Sequence, residues 1–208
     1  MRSILAAAAL LAACVSTPCA AENLEFLFSP SHVRNDTEYF LNLAVADSGY
    51  GRAVLEPVLP RLRNYERDLP VVLFLAKASG RPVGDVVKLR DDRLSWPFIL
   101  TNLKLTPDIL FAGIERDPGP PYGKAWGYWK KQAGQGRLSD DDIAGLVHVQ
   151  LGSRWASTGA YDLAHDQGSR KQVVKFVANK RGRPYKQASA SRGGKPQKSK
   201  GKGKGSAY

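Results

Sequence analysis

The chain has 208 residues and a formal net charge of +12, enough for one domain with a hydrophobic core and additional segments outside it. From Arg170 onward there are 13 Lys or Arg and no Asp or Glu, whereas residues 1–169 hold 18 basic against 19 acidic residues. The basic charge is therefore a property of a C-terminal tail. Cleavage after Ala21 would remove both cysteines, Cys14 and Cys19, and the mature chain would then have no disulfide, no thiolate metal site and no covalent haem.

Residues 1–21 have the layout of a signal peptide: Arg2, the apolar run Ile4–Ala13, and small residues that end at Ala21. The run is too short for a permanent transmembrane helix. Cleavage after Ala21 competes with lipidation at Cys14, because residues 11–14 resemble the lipobox of bacterial lipoproteins. We favour Ala21, since a lipobox there would leave a short apolar run with one basic residue before it. Either route predicts export to the periplasm or the extracellular space.

Residues 22–36 form a predicted N-terminal arm. Alternate residues from Leu24 to Phe28 are apolar, and this period of two predicts a short extended strand that lays one side on the body. Asp36 or Thr37 then caps the first helix of the body, which ends near Gly49.

The most apolar part of the chain, residues 68–113, predicts four short helices. A left-handed Gly80 ends the first of them, and the third has apolar residues at i, i+3, i+4 and i+7 from Trp96, which is the spacing of one helical face. The four predicted helix starts are Asp68 with Pro70, Pro82, Ser95, and Thr106 with Pro107.

A helix, glycine turn, helix unit recurs along the chain. Placing Gly49 over Gly80 pairs the two preceding serines and the apolar residues six positions later, which suggests two copies of one helical hairpin. A helix capped by Ser139 and a short helix from Ala160 repeat the pattern more weakly. These features predict an all-α fold of short stacked helical hairpins over residues 37–179.

Residues 117–131, DPGPPYGKAWGYWKK, lie between hairpins. Three prolines and two glycines in Asp117–Gly123 predict a rigid, extended connector, and Ala125–Gln132 predicts a short helix. Together with Leu94-Ser95-Trp96, this segment resembles a group of uncharacterised exported bacterial proteins built from the same helical hairpins. The resemblance covers residues 37–165 and implies the fold and export, without an activity or site residues.

Aromatic and basic side chains are interleaved in this segment. Aromatic faces beside ammonium groups can stack on a sugar ring or a base while the charges hold an acidic group. The alternative is that the tryptophans pin the connector onto the hairpins, and we favour it because large aromatic side chains usually belong to the core. The candidate aromatic platform comprises Tyr122, Trp126 and Trp129.

Other catalytic and metal-binding patterns are weak. Gly119–Lys124 superficially resembles a phosphate loop, but Ala125 replaces the magnesium-binding hydroxyl and prolines remove the backbone N–H groups that would bind phosphate. The three histidines are scattered, so neither a metal site nor a cofactor is predicted. An enzyme would need a proton donor such as Glu115 or Asp117 beside the tryptophans.

Residues 180–208 are predicted to be disordered, because Gly, Lys, Ser and Pro dominate and no core can form. Arg181-Gly182-Arg183-Pro184 is similar to the core of an AT-hook, whose Arg-Gly-Arg lies in the minor groove of A·T-rich DNA. We favour a looser interpretation, in which the tail binds polyanions by counterion release. The candidate polyanion-binding residues are Lys180, Arg181, Arg183, Lys186, Arg192, Lys195, Lys198, Lys200, Lys202 and Lys204.

The sequence therefore predicts an exported, cofactor-free, non-catalytic binding or structural protein. Its tail is expected to contact an anionic polymer such as extracellular DNA, lipopolysaccharide or acidic polysaccharide, and its body to contact an envelope protein. Two alternatives stay open. One is a cell-envelope enzyme that acts on glycan, with Glu115 or Asp117 as the acid, and the other is an envelope assembly subunit that uses exposed helical faces.

Overall fold

The computed structural model describes residues 24–131 and 138–185. All regular structure in these ranges is helical, which confirms the predicted all-α fold of short hairpins. Two 3-10 helices, Leu24–Leu27 and Pro30–His32, precede the first α-helix, and a third spans Leu59–Arg61. The α-helices of the described residues are α1 (Asp36–Ser48), α2 (Arg52–Leu55), α3 (Tyr65–Ser79), α4 (Val83–Asp91), α5 (Trp96–Asn102), α6 (Asp108–Phe111), α7 (Gly123–Lys130), α8 (Asp140–Ala156), α9 (Ala160–Gln167) and α10 (Arg170–Arg181).

Helix α8 lies at the centre of the core. Its residues from Ile143 to Gly152 are all buried, and α3, α5, α6, α9 and α10 pack against it. The predicted cap is present: the Ser139 hydroxyl accepts the Asp142 N–H at 3.1 Å, and the Asp142 carboxylate accepts the Ser139 N–H at 2.9 Å. A Cβ on Gly152 would lie 2.9 Å from a methyl group of Val173, so the glycine allows α10 to approach α8 closely.

The two predicted hairpin copies have the same turn. Gly49 and Gly80 follow α1 and α3 in the left-handed conformation, with φ of 76° and 66°. In each turn the serine before the glycine accepts the N–H of the residue after it: Ser48 from Tyr50 at 3.1 Å, and Ser79 from Arg81 at 3.3 Å. The local geometry therefore repeats as the pairing of the two sequence segments predicts.

The prediction of an extended N-terminal strand is wrong. Residues 24–27 form a 3-10 helix, and its consecutive residues Phe26 and Leu27 are both buried, which an alternating strand would not allow. Asn42 on α1 donates hydrogen bonds to the carbonyls of Phe26 and Leu27 at 2.8 and 3.3 Å. The buried amide satisfies these carbonyls and docks the segment on α1.

Helix α3 starts three residues before the predicted position. The side chain of Asn64 accepts the Arg67 N–H at 3.2 Å and caps the helix, so Pro70 lies inside it. Asp68, predicted to help open this helix, is buried and points instead toward Arg90 of α4, whose Nε donates to it at 3.1 Å. The carboxylate therefore joins two helices.

Asp140 connects this ion pair to α5 and α8. It accepts a hydrogen bond from Arg90 Nη1 at 2.7 Å and one from the backbone N–H of Trp96 at 2.7 Å. Ser95 occupies the predicted N-cap position of α5, but its side chain makes no capping hydrogen bond. A carboxylate from α8 therefore caps α5, and the Arg90 guanidinium also lies 4.5 Å over the Trp96 ring.

Candidate polyanion-binding surface

Helix α10 buries one side and carries basic residues around its exposed side. A capping box of Ser169 and Gln172 begins the helix, and four apolar residues on one side are buried against α8, α9 and α1. The helix contains no acidic residue. Its exposed basic side chains are those of Lys171, Lys175, Lys180 and Arg181.

The lysines of this face are accessible to an external anion. Within residues 24–131 and 138–185, neither Lys171 nor Lys175 forms an ion pair. Lys180 Nζ lies 5.7 Å from the ring centre of Phe176 on the same helix. Arg181 differs, since it donates to the Trp155 carbonyl at the end of α8 at 3.3 Å.

Lys171 and Lys175 are not among the residues predicted from the sequence. Their signal is a spacing of four residues, which places them on one helical face, next to the apolar face formed by residues 173, 174, 177 and 178. The valine pattern predicts a last helix here, whereas the predicted polyanion-binding residues begin only at position 180. The basic surface therefore begins at Lys171, near the start of α10 and nine residues before Lys180.

The structure places three predicted tail residues in the folded body. Lys180 and Arg181 are the last residues of α10, and Arg183 is bound to Asp36 at the start of α1. Described structure therefore extends to Tyr185, past residue 180, at which the sequence predicts the tail to begin. The other predicted residues, Lys186, Arg192, Lys195, Lys198, Lys200, Lys202 and Lys204, lie outside the described residues.

Arg183 is held by both edges of its guanidinium group. Its Nε and Nη2 donate to the two carboxylate oxygens of Asp36 at 2.7 and 3.1 Å, and its Nη1 donates to Asn179. Tyr185 also donates its hydroxyl hydrogen to Asp36. An AT-hook would need this arginine in a DNA groove, so the AT-hook interpretation requires these contacts to break first.

Tyr122 belongs to the core and not to an exposed aromatic platform. It is 3% exposed, and it packs against α8 where a Cβ on Gly145 would lie 2.7 Å from its ring. Burial raises the pKa of its hydroxyl to about 12. Gly145 has no side chain, and this leaves the space that the Tyr122 ring occupies. The inclusion of Tyr122 in the candidate aromatic platform is therefore corrected.

The two tryptophans are packed against the body. One face of the Trp129 ring stacks on Phe111 at 4.6 Å, Lys130 Nζ lies 4.4 Å over the ring, and its Nε1–H donates to Asp108 at 2.8 Å. Trp126 meets Trp129 edge to face and donates to the Ile114 carbonyl at 3.4 Å. These contacts pin α7 to the segment around α6, and they leave little of Trp129 for a ligand.

A cleft of about 520 Å³ lies beside the connector. Gly113, Glu115, Arg116 and Tyr161 line it, and the Arg116 guanidinium lies 4.1 Å over the Tyr161 ring. The tryptophans are not among these lining residues. The cleft thus brings Glu115 together with an arginine and a tyrosine, and not with the predicted aromatic platform.

The two histidines beside the core and the connector have packing roles. His148 is buried, stacks on Phe40 at 4.7 Å and bonds to the Ala144 carbonyl at 2.7 Å. His165 bonds to the Pro118 carbonyl at 3.1 Å and so holds the connector. Among residues 24–131 and 138–185, no cluster of His, Cys, Asp and Glu is suited to hold a metal ion.

Comparison with known proteins gives no match to a family model, a curated protein or a solved structure. Within the part of the chain that the structure describes, no helix combines the length and apolar character needed to span a membrane. Function is therefore inferred from this chain's own residues, above all from α10 and the segment that follows it, residues 182–185.

Proposed function

We propose that this protein is exported and binds an anionic polymer through α10 and the basic residues that follow it. The observation that carries the proposal is the exposed side of α10, whose lysines have no acidic neighbour on the helix. The helix is followed by residues 182–208, which hold eight further Lys or Arg and no Asp or Glu. A folded helix presents its charges without a backbone ordering cost.

The expected binding is electrostatic and only weakly selective. Each phosphate that a basic side chain neutralises releases counterions, so the logarithm of the binding constant falls with log salt concentration by about 0.9 per neutralised phosphate on duplex DNA. Extracellular DNA, lipopolysaccharide and acidic polysaccharide all carry negative charges on phosphate or carboxylate groups. We propose that export, with removal of residues 1–21 or lipidation at Cys14, brings the protein to these polymers.

Neutral variants of the helix face test the proposal. Changing three lysines to glutamine should lower the salt slope on duplex DNA by up to about 0.9 for each lysine that neutralises a phosphate, with unchanged thermal unfolding because these side chains are exposed. The variant carries K171Q, K175Q and K180Q.

A second triple variant serves as the charge-matched control. It removes the same charge at exposed lysines on other elements and should keep the salt slope of the natural protein. Equal slopes for the two triple variants would contradict a role for α10. The control carries K88Q, K104Q and K131Q.

A glycan-cleaving enzyme is the second candidate, and the cleft of Glu115, Arg116 and Tyr161 favours it. Here Glu115 would act as the acid and Arg116 would orient a sugar hydroxyl or carboxylate. Release of reducing ends from cell-wall glycan, abolished in Glu115→Gln, would support this function. The same release by E115Q would exclude Glu115 as the acid.

A further inference from the structure

The segment after α10 folds back on the first residue of α1. Asp36 receives hydrogen bonds from Nε and Nη2 of Arg183 and from the Tyr185 hydroxyl. The side chains of Asp36 and Arg183 are only 22% and 18% exposed. This group of three residues, here called the clasp, joins positions 147 and 149 residues apart in the chain.

The clasp is a complete site for an anion with two oxygens. The flat guanidinium of Arg183 matches a carboxylate or phosphate in bidentate geometry, and Asn179 accepts a hydrogen bond from its third nitrogen, Nη1. Asp36 also sits in the first turn of α1, where the helix dipole favours a negative charge. Burial alone would raise the pKa of Asp36, but the hydrogen bonds from Arg183 and Tyr185 outweigh it and hold the pKa below its usual value.

The position of the clasp gives it a role in binding. It fixes the chain at Tyr185, immediately before the seven basic residues from Lys186 onward. While the clasp is closed, Arg183 is paired with Asp36 and cannot bind the polymer together with those residues. Resting on the proposed function, we propose that Asp36 is an intramolecular competitor, and that a phosphate or carboxylate of the bound polymer replaces it in the guanidinium fork of Arg183.

A single small anion competes poorly with Asp36 for the guanidinium group of Arg183. Because Asp36 belongs to the same molecule, its effective concentration at Arg183 exceeds that of a dilute free anion. A polymer already held by several neighbouring lysines gains the same local advantage. The clasp therefore opens for a multivalent polymer and remains closed toward inorganic phosphate and short oligomers.

The variant Asp36→Asn tests the competition directly. It keeps the size of the side chain but removes the charge and one acceptor oxygen, so Arg183 becomes free to bind the polymer. Duplex DNA and a carboxylate-only polyuronate should both bind more tightly, whereas the log–log salt slope on DNA should not change, because Arg183 neutralises a phosphate in both complexes once the clasp has opened. An unchanged affinity for both polymers would overturn the proposal, and so would a slope steeper by about 0.9, because it would mean that Arg183 stays on Asp36 in the natural complex.

Two further variants separate release of Arg183 from the loss of a negative charge. Asp92→Asn makes the same charge change at an exposed residue of the α4 end and should leave the affinity nearly unchanged. In the background Arg183→Gln, adding D36N should no longer tighten binding. A full D36N effect in the absence of Arg183 would mean general electrostatics and would overturn the competition.

Limited trypsin digestion gives a readout without any polymer. The Arg183–Pro184 bond resists trypsin, so cleavage at Arg181–Gly182 reports the opening of the segment. Cleavage should be faster in D36N and R183Q than in the natural protein, with thermal unfolding as a check of the fold. Equal rates would show that the clasp does not hold the segment in solution.

Absence of polymer binding by every variant would instead overturn the proposed function, and the cleavage rates would still report whether the clasp forms.

Discussion

The buried imidazole of His148 makes a quantitative prediction for stability against pH. The ring is shielded from water, stacks on Phe40 and bonds to the Ala144 carbonyl. Burial is the main cause that lowers its pKa from 6.5 to about 4, and the hydrogen bond to Ala144 opposes it. Histidine protonation should therefore weaken the fold in mildly acidic solution.

The sign and size follow from proton linkage. In the unfolded chain His148 takes up a proton below about pH 6.5, whereas in the folded protein it stays neutral down to about pH 4, so the unfolded state binds more protons in this window. Stability is fully present above the unfolded pKa and falls as pH drops toward the folded pKa. The loss is about 2 kcal/mol between pH 7.5 and pH 5, and about 3 kcal/mol by pH 4.

Urea unfolding of the natural protein and His148→Phe at several pH values measures this loss. Phenylalanine keeps a ring against Phe40 but cannot take up a proton, so most of the slope between pH 5 and pH 7.5 should vanish. His32→Phe, at an exposed histidine of the second 3-10 helix, serves as the control and should retain the slope. If H148F kept the same pH dependence as the natural protein, the assignment of a neutral buried imidazole would be wrong.

Two further substitutions test the packing of α8, each by urea unfolding against a matched control. Gly145→Ala should cost about 1–3 kcal/mol, because its Cβ would overlap the Tyr122 ring, whereas Gly127→Ala, which meets no atom within 4 Å, should be neutral or stabilising by up to about 1 kcal/mol. Asp140→Ala should cost about 1–3 kcal/mol, since it removes the cap of α5 and a carboxylate partner of the largely buried Arg90. Asp141→Ala, at a side chain that is 77% exposed, should cost less than about 1 kcal/mol; equal losses within either pair would contradict these packing and capping interactions.

Local signals predict most of the helices. Glycines 49 and 80 end α1 and α3 in the left-handed conformation, and Ser139 caps α8, because these preferences depend on the backbone of a few adjacent residues. Local competition also explains the failure at α3. Asn64 offers a capping oxygen upstream of the predicted start, and the helix tolerates Pro70 inside it.

Partners that are distant in the chain could not be predicted. Asp36 is bound by a residue 147 positions away, and Asp140 caps a helix that begins 44 positions before it. Many acidic and basic residues could satisfy such pairs, and only the packing of the helices selects among them. The same reason applies to Tyr122, whose burial depends on a glycine in another helix.

The basic surface could be predicted in part. Charge counting places the excess from Arg170 onward, and the spacing of Lys171 and Lys175 on a helical face is visible in the sequence. The folded position of Arg183 is not, because a motif of glycine, arginine and proline is also typical of a flexible tail. Composition therefore locates the charge, whereas tertiary contacts decide which charges are free.

A salt titration of polymer binding tests the central claim most directly. It compares residues 22–208 with residues 22–185, on duplex DNA and on an acidic polysaccharide. We predict steeply salt-dependent binding to both polymers, and a truncated protein whose slope on DNA is lower by up to about 6, because seven basic side chains have been removed. Truncated protein that binds both polymers as tightly and with the same slope would contradict a role for the basic stretch, and binding confined to A·T-rich DNA at high salt would point to groove recognition instead.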